Sequence, residues 1–389
     1  MRLPLLAVAL LAVALGAQAA QAPASGLLAS GLDHYFNLEY PQAIADFTAL
    51  TRQQPDSPGA WNHLGLAELY AEMYRIGALE SELYGNGDPF LEQKLLPPDP
   101  AAVARIEHDL DQARTLAAAA IQKNPDDAQA QYDLAVAWAQ LGTLEFTISK
   151  SYWAALGDAK AARKAAAKAL ELNPHFTDAE LIVGAQNYIA GSLPWAVKVF
   201  STLIGYRGDK ELGRRQIADV AAHGVNSRTD AAVLLAVVDR RDGLNRSAAP
   251  ILASLESEYP RNVLFAVEAG EAMEAAGEHD SARAQFQQII AKAAAGAPGF
   301  GRAPLGKTWY DLGNIERTYS HWQQAADDFD RAENAAGAQP RYRQAAALAA
   351  GQSDQQAGNA AAARAQFQRC IAFDPESAAG KAAAAALDH

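Results

Sequence analysis

A spacing of small, aromatic and proline residues recurs along this chain and constrains its fold more than any other feature. A glycine is followed twelve positions later by an alanine and four positions after that by a phenylalanine. In the first and last copies a proline comes 24 positions after the glycine. Repeats of this length indicate an array of similar structural units. The alanine and phenylalanine pairs are Ala43 and Phe47, Ala196 and Phe200, Ala282 and Phe286, Ala325 and Phe329, and Ala363 and Phe367.

Three further copies keep the alanine-to-proline interval but replace the phenylalanine with a smaller side chain. Two stretches also place a tryptophan shortly before the glycine, in Trp61-x2-Leu64-Gly65 and Trp309-x2-Leu312-Gly313. The three copies are Ala113 with Pro125, Ala162 with Pro174 and Ala248 with Pro260.

These residues resemble the tetratricopeptide repeat, whose 34-residue unit carries W-x2-L-G-x2-Y, then A-x3-F, then P. The resemblance covers most of the chain and implies that each unit is a helix–turn–helix hairpin. The tyrosine of the pattern is usually absent here, which implies that its contacts are repacked. Eight units fit the sequence: 24–57, 58–127, 128–176, 177–210, 229–262, 263–296, 306–339 and 344–377.

Packing physics explains why those residue types recur. The glycine and the alanine stand where the two helices of one hairpin cross, and larger side chains would push the helix axes apart. Aromatic side chains fill the space between successive hairpins, and the proline helps to end the second helix. Together with the resemblance, this implies an all-α fold, a right-handed α-solenoid of about eight hairpins with inserted helices and loops. Residues 378–388 are predicted to form a capping helix.

Insertions interrupt the repeat at about 77–112, 147–161 and 205–228. The first predicts a lengthened first helix, a structured loop and a lengthened second helix that starts near Asp99. The last predicts an additional helix over 209–222. The predicted domains are therefore an N-terminal array over 20–228 and a C-terminal array over 229–389.

The centre of the chain carries a second, narrower resemblance. The run Gly191-Ser192-Leu193-Pro194, followed by 205–209 and Gly213, is similar to the central signature of the tetratricopeptide repeat protein 39 family. That resemblance implies a scaffold and no chemistry.

The first nineteen residues are typical of a signal peptide. Arg2 is followed by an apolar run, Leu3 to Gly16, and Ala17-Gln18-Ala19 has the small-x-small pattern that signal peptidase recognises. The apolar run is shorter than the roughly 20 residues that a membrane-spanning helix requires. We therefore expect cleavage before Ala20 and an exported, periplasmic or secreted protein without a membrane span in its mature chain. Because no cysteine follows the cleavage site, we expect no lipid anchor.

Charge and cysteine content exclude several functional classes. The formal charge of −12 disfavours nonspecific binding to nucleic acid and to anionic membranes. The single cysteine, Cys370, excludes a disulfide framework and takes a small-residue position, so we expect a buried and inert thiol. The eight histidines show no metal-ligand spacing. No catalytic residue, cofactor or metal site is predicted.

One stretch matches a phosphate-binding motif. Gly301 to Thr308 satisfies G-x4-G-K-[ST], the loop that holds phosphates in nucleotide-binding proteins. That loop functions between a buried strand and a helix, whereas Ala291 to Phe300 has no strand pattern. We therefore interpret Gly306, Lys307 and Thr308 as part of a repeat helix.

The remaining candidate for function is a binding surface. In tetratricopeptide repeats the first helices line a concave groove, and the resemblance implies which side chains face it. Tyrosine and arginine are enriched where binding energy concentrates. The predicted groove residues are Tyr35, Phe36, Leu66, Tyr70, Tyr132, Tyr188, Arg240, Arg241, Lys307, Tyr310, Asn314 and Arg317, with Gln352, Gln355 and Gln356 beyond them.

These observations favour a nonenzymatic adaptor that holds a partner protein or an extended peptide in the groove. A rigid curved surface binds without reorganising, which lowers the entropic cost of association. Two alternatives stay open. The 77–112 insertion could build a ligand-binding or enzymatic site beside Tyr74, Tyr84 and Asp88, or the protein could be an envelope assembly factor that docks at a membrane.

Overall fold

The protein is all-α, as the repeat pattern predicts. A computed structural model describes residues 26–79, 95–192, 208–336 and 340–388, and these contain seventeen α-helices, a short 3-10 turn and no strand. The helices that precede residue 260 are α1 (Gly26–Phe36), α2 (Tyr40–Gln53), α3 (Pro58–Ile76), α4 (Pro100–Lys123), α5 (Ala128–Thr147), α6 (Tyr152–Leu172), α7 (Thr177–Ser192), α8 (Lys210–His223), α9 (Arg228–Arg241) and α10 (Asn245–Glu258).

The chain divides into two compact units, unit 1 over 1–251 and unit 2 over 252–389. The division falls inside α10, whereas the repeat pattern predicts it at 228. The later helices are α11 (Val263–Ala275), α12 (His279–Ala294), α13 (Leu305–Thr318), α14 (Trp322–Asn334), α15 (Pro340–Gln356), α16 (Ala360–Phe373) and α17 (Ala378–Leu387), with the 3-10 turn at Phe300–Arg302.

Within a hairpin, the repeat glycine and the repeat phenylalanine touch. A Cβ atom on Gly270 would come within 2.6 Å of Phe286 Cε1, and one on Gly351 would come equally near Phe367 Cε1. The phenylalanines and the alanines four positions before them are buried. The prediction that glycine marks the helix crossing is therefore confirmed in these hairpins, because only a residue without Cβ leaves room for the ring.

The second and third hairpins are lengthened as predicted. Asp99 caps α4, its carboxylate accepting the backbone N–H of Ala101 at 3.0 Å, so this helix begins where the sequence predicts. Leu110 of α4 takes the place of the phenylalanine against Gly65. The 147–161 insertion extends α5 and α6, whose residues Phe146 and Tyr152 pack with ring centroids 5.4 Å apart.

The helix predicted over 209–222 is present as α8. The sequence predicts it as an extra helix between two hairpins, whereas in the structure it packs directly against α7. A Cβ atom on Gly184 of α7 would meet Gln216, Gly213 and Ile217 of α8. Thus α8 packs against α7 where second helices pack in other hairpins. The predicted pair Ala196 and Phe200 lies outside the described residues, as do 193–194 and 205–207 of the second resemblance.

The predicted capping helix is observed as α17, and Ser377 is its N-cap residue. The Ser377 hydroxyl accepts the backbone N–H of Gly380 at 2.9 Å. Ala383 of α17 packs into a cluster with Phe367 and Cys370. Cys370 is fully buried, as predicted, and burial raises the pKa of its thiol.

Candidate functional site

Most of the predicted groove residues in unit 1 are inside the protein. The predicted groove assumes that the first helices leave their inner sides open. The structure corrects this expectation for Tyr35, Phe36, Leu66, Tyr132 and Tyr188, which are all buried, while Tyr70 is half-buried.

The segment that leads into α9 covers one of these predicted groove residues, Tyr132. The hydroxyl groups of Tyr132 and Ser227 are 2.8 Å apart although 95 residues separate them in sequence. The buried carboxylate of Asp178 accepts the backbone N–H groups of Val225, Asn226 and Ser227 at 3.0–3.2 Å. These hydrogen bonds hold the segment over Tyr132, so this buried ring belongs to a core and not to a groove.

Two of the N-terminal tyrosines, Tyr35 and Tyr40, are also buried. Burial, together with the nearby Tyr70, Tyr40 and Asp230, raises the pKa of Tyr35 well above its ordinary value. The rings of Tyr35 and Tyr70 make an edge contact with centroids 5.4 Å apart. A phenol with this environment stays neutral and serves packing.

The two arginines at the end of α9 are half-buried. Next to them the Tyr188 hydroxyl donates to Asp242 at 3.0 Å, and Lys210 pairs with the same carboxylate at 2.6 Å. Burial and Asp242 raise the pKa of Tyr188, while Arg241 opposes the shift. Arg241 therefore lies beside the ion pair of Lys210 and Asp242, and Arg240 precedes it on the same helix.

In unit 2 the predicted cationic residue Lys307 is neutralised by acids. Its Nζ lies 2.5 Å from Glu271 Oε1 of α11 and 2.7 Å from Asp311 Oδ2 of α13, and the three side chains are about nine-tenths buried. Burial raises the pKa of Asp311 to about 7 against the opposing effect of Lys307. Burial likewise raises the pKa of Glu274. This part of unit 2 is therefore acid-rich, which corrects the expectation of a cationic groove at Lys307.

A row of predicted residues on α13 does reach the surface. Tyr310, Asn314 and Arg317 are spaced four and three residues apart, which places them on one face of the helix, and each is half-buried. The Tyr310 ring packs 5.4 Å from Phe329 and 6.2 Å from Tyr342 of α15. On α15, Gln352 is half-buried and Gln355 and Gln356 are exposed. We call the side chains of Tyr310, Asn314, Arg317, Gln352 and Gln355 the unit 2 surface.

The residues of the phosphate-motif match are used for packing. Gly301 lies in the 3-10 turn, and α13 begins at Leu305. Thr308 is fully buried, and its hydroxyl donates to the Pro304 carbonyl at 3.1 Å. With Lys307 held by two carboxylates, these side chains serve the repeat helix, as predicted.

One group of side chains was not anticipated from the sequence. Asp33, His34 and Glu39 each bring a potential metal-binding atom within 4.8 Å of the others. The turn between α1 and α2 produces this arrangement, because it returns Glu39 to the end of α1. Only the spacing of Asp33-His34 and Glu39 around a predicted helix end could have indicated it.

Of the three residues predicted beside a site in the 77–112 insertion, only Tyr74 lies in the described part of the chain. The Tyr74 ring packs against Tyr40 with centroids 5.8 Å apart. Tyr84 and Asp88 lie outside the described residues.

Comparison with known families finds the repeat in two segments of unit 1. A family model described as Tetratricopeptide repeat matches residues 28–72 and 107–145. No curated protein matches the chain. Within the described residues no helix is both long and apolar enough to cross a bilayer.

Similar solved structures include the human IFIT1 dimer with m7Gppp-AAAA, at 12% identity and a TM-score of 0.40 over 98% of this chain and 83% of that one. Yeast Tom70 is similar at 14% identity and a TM-score of 0.34, over 93% of this chain and 88% of that one. A tetratricopeptide repeat protein from Parabacteroides merdae is 14% identical with a TM-score of 0.29, over 82% and 95% of the two chains. Likenesses this distant say nothing about what this chain binds.

Proposed function

Because a Tetratricopeptide repeat model matches residues 28–72 and 107–145 and the same spacing recurs in unit 2, we propose that the protein is a nonenzymatic adaptor whose unit 2 surface binds a partner protein in an extended conformation. Protein binding is the usual role of such repeats, and the first helices supply the contacts. One observation supports this location best. Tyr310, Asn314 and Arg317 reach solvent on one face of α13, whereas the predicted residues on α1, α3, α5 and α7 are largely buried.

The chemistry of this surface suits a peptide backbone and polar side chains. Asn314, Gln352 and Gln355 each offer an amide that both donates and accepts hydrogen bonds. Tyr310 is held in place by Phe329 and Tyr342, so little side-chain entropy is lost when a partner covers it. Arg317 lies 6.0 Å from the Phe329 ring centroid and is similarly supported.

Site-specific crosslinking tests this location. A photoreactive amino acid at Asn314 is expected to capture a partner in cells. The matched control is the same substitution at Gln288, which is exposed on α12. Identical crosslinked products at the two positions would contradict the proposal.

The captured partner then allows a quantitative test with purified proteins. Tyr310→Ala and Arg317→Ala are each expected to weaken its binding at least tenfold, which corresponds to about 1.4 kcal/mol. Gln288→Ala should leave the dissociation constant unchanged. Circular dichroism must show that each variant is fully folded at the temperature of the binding assay, so that a loss of binding is not a loss of folding. Unchanged affinity in both α13 variants would exclude this surface.

We also propose that the adaptor acts after export. The proposal rests on the signal-peptide pattern of residues 1–19, which lie outside the described residues. Intact-mass measurement of the protein purified from its native host should give a chain that begins at Ala20. A mature protein that retains Arg2 and the apolar run would contradict export by this route.

A further inference from the structure

Three side chains with metal-binding atoms meet where α1 ends and α2 begins. One ligand atom each of Asp33, His34 and Glu39 lies within 4.8 Å of the other two. His34 Nε2 is 3.9 Å from Glu39 Oε2, which is too long for a hydrogen bond. Two ligands of one tetrahedral zinc ion are about 3.3 Å apart when each lies roughly 2.0–2.1 Å from the metal. Asp33 is exposed and the other two side chains are partly exposed, so side-chain rotation can bring the three atoms from within 4.8 Å to this separation.

The histidine ring is already oriented for a metal. Its Nδ1 lies 3.0 Å from Asp46 Oδ2, and Ser30 donates a hydrogen bond to that same oxygen at 2.7 Å. With the Nδ1 proton directed to the Asp46 carboxylate, a neutral imidazole keeps its lone pair on Nε2. A carboxylate behind the histidine is the arrangement that supports zinc ligands in proteins, because it fixes the tautomer and raises the basicity of the ring.

The Asp33 carboxylate is also supported from behind. The Asn37 amide donates to Asp33 Oδ1 at 3.2 Å and to the Asp33 carbonyl at 2.8 Å. Asn37 is 1% exposed, so its position is set by packing. Asp33 and His34 thus each have a hydrogen-bonding partner that orients them, as metal ligands usually do.

We propose that Asp33, His34 and Glu39 form a site for Zn²⁺ at the α1–α2 turn, with Asp46 and Asn37 as positioning residues. One imidazole nitrogen and two carboxylate oxygens suit zinc, whereas calcium takes six to eight oxygen ligands. Three protein ligands leave a fourth position for water or for a donor from another molecule. The site lies in unit 1 and is independent of the proposed partner binding by unit 2.

The chain offers a matched control for this site. On α8, His223 Nδ1 lies 3.0 Å from Asp219 Oδ1, the same distance as in the pair of His34 and Asp46. Among the described residues, however, the group of Asp33, His34 and Glu39 is the one in which three such side chains converge. His223→Ala therefore removes a comparable histidine without removing the proposed site.

Competition with a fluorescent zinc chelator tests the proposal on the purified full chain, after treatment with a stronger chelator to remove bound metal. The wild-type chain is expected to take up one Zn²⁺ that His34→Ala does not, while His223→Ala binds as the wild type does. Asp46→Asn should weaken binding roughly 10- to 100-fold, the usual effect of losing such a partner. Circular dichroism of each variant establishes that the helices remain formed.

Cobalt provides a second readout of the same site. Co²⁺ added to the wild-type chain should give the visible absorption of a four-coordinate ion with nitrogen and oxygen ligands, and this absorption should disappear in His34→Ala and in Glu39→Gln. Failure of the wild-type chain to take Zn²⁺ from the chelator would overturn the proposal. So would equal zinc binding by the wild type and His34→Ala, since the metal would then be held elsewhere.

Discussion

Gly313 lies directly against the ring of Phe329: a Cβ atom on Gly313 would come within 2.8 Å of Phe329 Cε1. The ring is fully buried and cannot move into solvent. This contact joins α13, which carries most of the unit 2 surface, to α14. The glycine therefore sets how closely the second helix approaches the helix proposed to bind the partner.

We predict that Gly313→Ala lowers the free energy of unfolding by about 1–2 kcal/mol. Overpacking of a core costs about 1–3 kcal/mol, and the better helix propensity of alanine offsets up to about 1 kcal/mol of this. Chemical denaturation measures the change. Gly157→Ala is the control, because Gly157 lies within α6 with nothing near its Cβ position. This variant should be more stable than the wild-type chain by up to about 1 kcal/mol. Equal effects of the two changes would refute the packing explanation.

Gly213→Ala is expected to cost more than Gly313→Ala. A Cβ atom there would meet the backbone nitrogen of Tyr188 and the carbonyl oxygen of Gly184. A backbone can yield less than a ring, so the expected loss is about 3 kcal/mol or more. Faster amide hydrogen exchange in α7 and α8 would locate the damage.

Leu212→Ala is the control for a substitution in the same helix that meets no backbone, since Leu212 is 39% exposed. Its effect should stay within about 0.5 kcal/mol. A Gly213→Ala variant as stable as Leu212→Ala would show that α8 does not pack on α7 in this way.

Stability is predicted to decrease as the pH rises from about 4 to about 7, in part because of Asp133. Burial raises the pKa of its carboxyl to about 7, against the hydrogen bond from Gln129. Between the unfolded and folded pKa values only the folded state holds the proton. The contribution of Asp133 to stability is therefore full below the unfolded pKa and decreases until the folded carboxyl also ionises. A shift of this size corresponds to a change on the order of 2 kcal/mol after allowance for relaxation.

Asp133→Asn should flatten this dependence and raise stability at about pH 8, because the amide stays neutral and its oxygen can still accept from Gln129 Nε2. Urea unfolding at about pH 5 and about pH 8, on either side of the folded pKa, measures the difference. Asp126→Asn is the control, since Asp126 is exposed in the loop before α5. If Asp126→Asn and Asp133→Asn change the pH dependence equally, burial of Asp133 is not its cause.

Local sequence determined the helices and the contacts within each hairpin. The spacing of Gly270 and Phe286 predicts a helix crossing, and Asp99 predicts the start of α4, because both depend on residues near one another in sequence. The capping helix and the buried Cys370 follow from the same spacing. These features need no knowledge of how one hairpin sits on the next.

Only the tertiary structure decided which inner surfaces stay open and which charges meet. Ser227 contacts Tyr132 from 95 residues away and covers its hydroxyl group, and the pairing of Lys307 with Glu271 joins two hairpins. Such contacts depend on the rotation between successive hairpins, and small angular differences accumulate along a stack. The repeat pattern specifies the distance between the two helices of a hairpin, but it does not specify the rotation that accumulates from one hairpin to the next.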